Sequence, residues 1–222
     1  MSVFTPTYSL SDVELLQRER VFDGFFKLDR LQLRHRCFDG SWTETLQREL
    51  FIRDDAVCVL PYDPLTDSLL LIEQFRVGAL LDERSPWLFE LVAGIVEPGE
   101  SIADVAHREA DEEAGAQLLA LEPICRYHVS PGGSQEATHL LCGLINSKGL
   151  GGLHGLEPEG EDIRATVMPR TEAFAAVVEG TINNAGTIMA LQWLELNHLK
   201  LREQWLPLLA ADLAARAEQA SL

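Results

Sequence analysis

Apolar and polar residues alternate from about Phe26 to Arg34, the period-two signature of a half-buried strand, and a turn follows at Asp39–Gly40. Residues 43–52, TETLQRELFI, continue as a second strand, so the first fifty residues read as β-rich. Two strongly apolar runs come next, AVCVLPYD (56–63) and SLLLIEQFR (68–76), joined by a turn at Pro64–Asp67. Runs of that length bounded by turn residues predict central strands. WLFELVAGIVEPGE (87–100) reads as a strand entering a Gly/Pro loop, and ADVAHREADEEA (103–114) as a helix. Strands resume at Ile124–Val129 and at residues 139–145. Residues 147–162, Gly-rich and acidic, predict a loop long enough to be functional. IRATVM (163–168) predicts a strand, Thr171–Glu179 a helix, and Asn184–Glu218 a helical region broken at Pro207. Strands, helix, strands and then helices predict a mixed α+β sandwich and not a parallel βαβ array.

Charge narrows the range of partners. The chain has 222 residues with 18 Lys+Arg against 35 Asp+Glu, a formal net charge of -17. Its 46% apolar content suits one domain, or one domain with an extension. No Lys/Arg run of the kind that grips a nucleic-acid backbone or an anionic membrane is present. An anionic substrate must therefore be met by a few placed arginines or by bound cations. The cysteines, Cys37, Cys58, Cys125 and Cys142, form no C-x-x-C pair, which predicts free thiols in a reducing compartment. No signal-peptide pattern opens the chain and no apolar run reaches the ~18–20 residues of a membrane span. These features together predict a soluble, cytoplasmic protein.

Candidate chemistry concentrates in residues 94–116, GIVEPGESIADVAHREADEEAGA. Ser101, with Asp104 three residues on, predicts a capping box and hence a helix start. From that cap Glu109, Glu112 and Glu113 share one helical face, where like charges destabilise a bare helix by a few tenths of a kcal/mol per pair. Arg108 is spaced to pair with Glu112, which leaves Glu109 and Glu113 to hold a hard divalent cation through oxygen. Gly94 and Gly99 predict a loop bent tightly enough to bring a backbone carbonyl and Glu100 beside the helix. A solvated acidic helix face is the plainer explanation for clustered glutamates; the spacing decides between the two. The segment resembles the Nudix box, G-x5-E-x7-R-E-U-x-E-E-x-G-U, with U an aliphatic residue. Gly94, Glu100, Arg108, Glu109, Glu112, Glu113 and Gly115 match every fixed position, and only the small Ala110 and Ala116 at the U positions depart from habit. Seven fixed matches arise by chance in fewer than about one chain in a million.

The resemblance implies a Nudix fold, an α/β/α sandwich around a mixed sheet, and hydrolysis of a nucleoside diphosphate linked to another moiety. It further implies Mg²⁺, or Mn²⁺, held by Glu109, Glu113 and the Ala93 carbonyl, with Arg108, Glu112 and Glu100 assisting. Further features resemble the ADP-ribose pyrophosphatase branch of that family. Pro131, within Ser130–Gly133, lies fifteen residues beyond the box; IEQFR (72–76) resembles the branch's E-Q-x-R strand and places Arg76 near substrate. EPEGEDI resembles its acidic loop, implying Glu159 as general base and Glu161 as a further metal ligand. The N-terminal strands resemble a dimerisation segment exchanged between subunits, so a homodimer is expected. By the same likeness Phe25, Phe26, Arg48 and Glu49 hold the adenine, and Arg53, Arg76, Ser130, Pro131, Gly132 and Glu136 contact the rest of the substrate. The expected divisions are a dimerisation segment (1–50), a Nudix domain (51–210) with its box at 94–116, and a helical tail (211–222). Hydrolysis of another sugar nucleotide, such as GDP-mannose or an ADP-sugar, is the alternative within the family. A sensor that binds ADP-ribose without cleaving it is the alternative outside the enzymes.

Overall fold

The computed structural model describes residues 4–156, 158 and 160–219. The chain divides into two compact units, one running up to Asp54 and including His128–Ala137, the other comprising Asp55–Tyr127 and Thr138 onward.

The first unit is built on an antiparallel three-stranded sheet of β1 (Val13–Asp23), β2 (Lys27–His35) and β3 (Leu46–Ile52), in that order. β1 escapes a period-two reading because VELLQRERVFD does not alternate cleanly. Two register shifts in its pairing with β2, at Leu15/Gln17 and Arg20/Phe22, show why. Ion pairs tie this sheet together. Buried Asp29 accepts from Arg18 Nε at 2.5 Å and from Arg20 Nε, and Arg34 Nε reaches Glu14 at 2.7 Å. Trp42 lies under the guanidinium groups of Arg34 and Arg36, 5.1 and 4.5 Å from its ring centre. β1 and the β1–β2 turn leave Leu15, Leu16, Phe22 and Phe25 exposed.

The second unit carries a mixed sheet of β4 (Ala56–Asp63), β5 (Ser68–Phe75), β6 (Trp87–Glu90), β7 (Val92–Ile95), β8 (Ala120–His128), β9 (Ala137–Leu144), β10 (Gly152–His154) and β11 (Ile163–Pro169). The main path runs β10-β11-β5-β4-β9-β8, with β4 and β9 parallel. Alternation along the two central strands sorts their side chains into two cores. Leu60, Tyr62, Leu69 and Leu71 pack beneath α2 (Arg170–Val178) and α3 (Ala185–Gln219). Val57, Val59, Leu70 and Ile72 pack against Val105, Ala106, Ala110 and Ala114 of α1 (Ile102–Ala114) on the other face. Small alanines on α1 bring its axis close to the sheet, which places the acidic side of the helix at the sheet's surface. The α/β/α sandwich is therefore present. No helix among the described residues is long and apolar enough to cross a membrane.

Three expectations change. The strand expected across residues 87–95 is two strands, because β6 pairs with β5 and β7 with β4, and the chain passes from one partner to the other at Leu91. The loop expected at 147–162 contains β10, a three-residue strand paired to β11, hidden in sequence by the glycines at positive φ around it. Pro207 does not break the last helix: α3 runs through it to Gln219, held by buried Leu201, Trp205 and Leu209 on either side. Residues 211–219 continue that helix.

An ion-pair network centred on buried Arg170 anchors α2 and α3 to the sheet. Arg170, 8% exposed, donates Nε and Nη2 to the two oxygens of Asp67 at 3.1 and 3.0 Å, and Nη1 to Glu195. Asp67 sits in the left-handed region (φ 52°) and also accepts from the Tyr62 hydroxyl at 2.7 Å. Arg170→Met removes the hydrogen-bonding cation from both carboxylates and leaves Asp67 only Arg202 at 4.0 Å, and the expected loss is about 2–4 kcal/mol. A denaturant midpoint unchanged from wild type would disprove that role.

Candidate active site

α1 begins with a reciprocal cap: Ser101 Oγ accepts from Asp104 N at 3.2 Å, and Asp104 Oδ2 accepts from Ser101 N at 3.2 Å. It ends at Gly115, which takes the left-handed conformation (φ 59°) and closes the last turn. Between these stops, Arg108 is the hub. Its Nε and Nη2 fork onto Glu100 at 3.1 Å each, while Nη1 reaches Glu109 Oε1 at 2.6 Å and Glu112 Oε2 at 3.3 Å. The simple division expected from spacing, Arg108 to Glu112 with Glu109 left free, is too narrow. The guanidinium neutralises three glutamates at once, because the turn before the helix returns Glu100 to its side. That turn is closed by Glu97 N donating to Glu100 Oε2 and by Gly99 at φ 96°.

Gly94 has a different role from the one expected. It lies within β7 and carries no unusual φ; what matters is the space beside its Cα. A Cβ there would come within 2.5 Å of Glu109 Cγ and nearer still to Cδ and Oε1. The Glu109 carboxylate is thus seated against the β7 backbone. One turn on, Glu113 is 3% exposed and accepts from Ala93 N at 2.9 Å through Oε2. A strand residue presents its N–H and C=O to the same edge. The Ala93 carbonyl therefore lies on the edge that faces Glu113.

Burial raises the pKa of Glu113 to about 8, opposed by the Ala93 N–H and reinforced by the negative charges of Glu109 and Glu161. Arg76 is close enough to lower it. Glu109 is also raised, first by burial, with Arg108 opposing and Glu112 and Glu161 adding to the rise. Glu161 completes the group from the loop before β11, where its Oε2 accepts from Leu156 N at 3.4 Å. Gly155 (φ 102°) folds that loop so tightly that a Cβ would meet the Glu161 backbone. Glu159, the expected base, lies outside the described residues.

Buried hard-oxygen donors that repel one another fit a divalent cation, which would relieve that repulsion. Among the described residues, however, no three His, Cys, Asp or Glu side chains close into a ready cage. A cation bound there would need oxygens beyond these side chains to complete its coordination.

Arg76 leaves β5 in extended conformation and its Nε donates to Glu90 Oε2 at 2.6 Å. Glu90 escaped the sequence reading; its signal was the acidic residue at the end of a strand neighbouring the Arg76 strand.

The remaining expected substrate residues belong to the first unit. The Phe26 ring meets Phe25 edge-to-face at 4.9 Å and Phe51 at a tilt at 5.0 Å, and the Arg53 guanidinium lies 5.4 Å over it. Arg53 also meets Glu136 at 3.4 Å. The Ser130–Gly133 turn, with exposed Pro131 and Gly132, is joined to β3 by Phe51 N donating to Gly133 O at 2.7 Å. The regular β2–β3 register puts Glu49 on the same face as Phe51. Arg48, expected beside them, points from the opposite face, because neighbouring strand residues alternate. It is not grouped with Phe26, and its Nη1 donates to the Gln47 carbonyl.

An acidic cluster on a capped helix, seated against a glycine strand of an α/β/α sandwich, defines the class. Residues 52–214 match the NUDIX domain, and the chain belongs to the Nudix family of hydrolases. It is 44% identical over 199 residues to the ADP-ribose pyrophosphatase of Escherichia coli (strain K12), covering 90% of this chain and 95% of that one. The ADP-ribose pyrophosphatase of Haemophilus influenzae is 43% identical, with 89% and 93% covered. The GDP-mannose pyrophosphatase of Cronobacter sakazakii is more distant at 30%, with 83% and 96% covered. A crystal structure described as an ADP compounds hydrolase shares the fold, with a TM-score of 0.65, 22% identity, and 89% of this chain and 98% of that one covered. Nudix ADP-ribose pyrophosphatases are metal-dependent in general.

Proposed function

We propose that this chain hydrolyses the pyrophosphate bond of ADP-ribose to AMP and ribose 5-phosphate, with Mg²⁺, or alternatively Mn²⁺, as its cation. The observation that carries the substrate is the identity gap: 44% to an ADP-ribose pyrophosphatase against 30% to a GDP-mannose pyrophosphatase, each across more than four-fifths of the chain. Glu109, Glu113, Glu161 and the Ala93 carbonyl would hold the cation, which when bound neutralises the diphosphate and lowers the pKa of an attacking water. Arg108 keeps Glu109 and Glu112 in place through the contacts given above and so preorganises the acidic face. Arg76 supplies the cationic side chain for a phosphate. Glu159 is assigned as the general base on its position in the acidic loop. Phe26 and Phe25 offer the aromatic surface a purine stacks on, with Arg53 held over it. The exposed apolar residues of β1 and the β1–β2 turn support self-association as a homodimer with exchanged N-terminal strands, in the cytoplasm.

A substrate panel tests the reading. ADP-ribose should lead ADP-glucose and GDP-mannose in kcat/KM by at least about tenfold, which corresponds to roughly 1.4 kcal/mol of transition-state discrimination. EDTA should abolish turnover. GDP-mannose in first place would reassign the enzyme to the other branch.

A further inference from the structure

Gln74 is 7% exposed, and among the described residues its Nε2 has no hydrogen-bond partner. A buried amide donor left unpaired is unusual, since nearly all such groups are satisfied. Its position suggests what the donor is for. On β5, Gln74 lies directly opposite Leu88 of β6, and Ile72 lies opposite Glu90. Glu90 is therefore the diagonal neighbour of Gln74 on the same sheet face, within reach of a long side chain. Arg76, two residues on and still extended, shares that face too. Its Nε reaches back along the strand, past Gln74, to Glu90 Oε2 at 2.6 Å. The free donor of Gln74 thus shares a sheet face with an ion pair that already satisfies Glu90.

We infer that Gln74 is a positioning residue that takes over Glu90 when Arg76 transfers to a substrate phosphate. This rests on the proposed contact between Arg76 and the diphosphate. Without a second donor, the transfer would strand the largely buried Glu90 carboxylate, 17% exposed, and Arg76 would be held back by its old partner. With Gln74 Nε2 available, Glu90 exchanges a charged partner for a neutral one, and the guanidinium is released at lower cost. The vacancy on Gln74 in the free protein is the other half of the exchange.

The test is a binding titration with the α,β-methylene analogue of ADP-ribose, which cannot be hydrolysed, run in EDTA and again with Mg²⁺. The proteins are wild type, Q74M, Q74N, E90Q and Q74M/E90Q. Q74M keeps the volume without the donor, and Q74N keeps an amide too short to reach. Both should raise Kd about tenfold, the value of one hydrogen bond to a charged group. The thermal midpoint of Q74M should be no lower than that of wild type, because the buried donor it loses is unpaired in the free protein. In the E90Q background, where no carboxylate holds Arg76, adding Q74M should change Kd less than twofold. A Kd for Q74M and Q74N within twofold of wild type overturns the inference. So does an equal effect of Q74M with and without Glu90, which would mark a packing role. If wild type itself fails to bind the analogue under either condition, the substrate assignment fails and not the exchange.

Discussion

Glu113→Gln will reduce kcat on ADP-ribose by about 10²–10³-fold, the range seen when one group that stabilises developing charge is removed. The fold should survive, and pH separates loss of chemistry from loss of structure. The folded-state pKa of Glu113 is raised to about 8 from an ordinary 4.5. An acid whose pKa is raised on folding binds its proton more tightly in the native state. Its favourable contribution is complete below pH 4.5 and is lost as pH rises through 8. The metal-free wild type should therefore lose thermal stability between pH 5 and 8. Glu113→Gln cannot ionise there, so its profile should be flatter and its midpoint at pH 8 no lower than wild type. Full turnover by the variant would remove Glu113 from the site. A uniform fall in midpoint at every pH would mean the variant is merely damaged.

Gly94→Ala is the second large effect, although it replaces no charged residue. The new methyl would occupy the space taken by the Glu109 carboxylate. What it displaces is the end of a flexible side chain, so β7 can keep its pairing with β4 while Glu109 swings away. Stability should fall by only about 1–3 kcal/mol, the usual cost of overpacking. Activity should fall by about 10²-fold or more, because Glu109 is moved from Ala93 and Glu113. Glu109→Ala in the Gly94→Ala background should then cost little further activity, since the two changes remove the same interaction. Activity kept within threefold of wild type in Gly94→Ala would show that the seat at Gly94 does not matter.

Much of this architecture was legible in the sequence, for identifiable reasons. The central strands announced themselves because both their faces are buried, leaving apolar runs with turn residues at each end. The α1 helix announced itself through Ser101, Asp104 and Gly115, whose cap chemistry is local. The acidic positions could be read because their spacing is fixed by helical geometry. Interactions set by tertiary approach could not be read. Gly94 reads as a bend, since a glycine's sequence context does not say whether it supplies torsion or room. The partnership of Arg76 with Glu90 depends on β6 pairing with β5, and a hydrophobic pattern does not reveal that the strand changes partners at Leu91. The resemblance names Arg48 and Glu49 together, but which strand face each side chain leaves from depends on the β2–β3 pairing and puts the two on opposite faces. Pro207 was given its usual cost in isolation, whereas buried neighbours hold its helix in one piece.

The change of partner at Leu91 also decides where this chain can grow. Val77–Ala79 forms an exposed turn on the way from β5 to β6, and added residues there would leave both pairings intact. One residue inserted between Glu90 and Val92 would instead slide β7 along β4 by a step and invert every side chain it presents. Alanine would then stand where Glu109 requires glycine. The same short crossing thus separates a stretch of chain free to vary in length from one whose length is fixed to the residue.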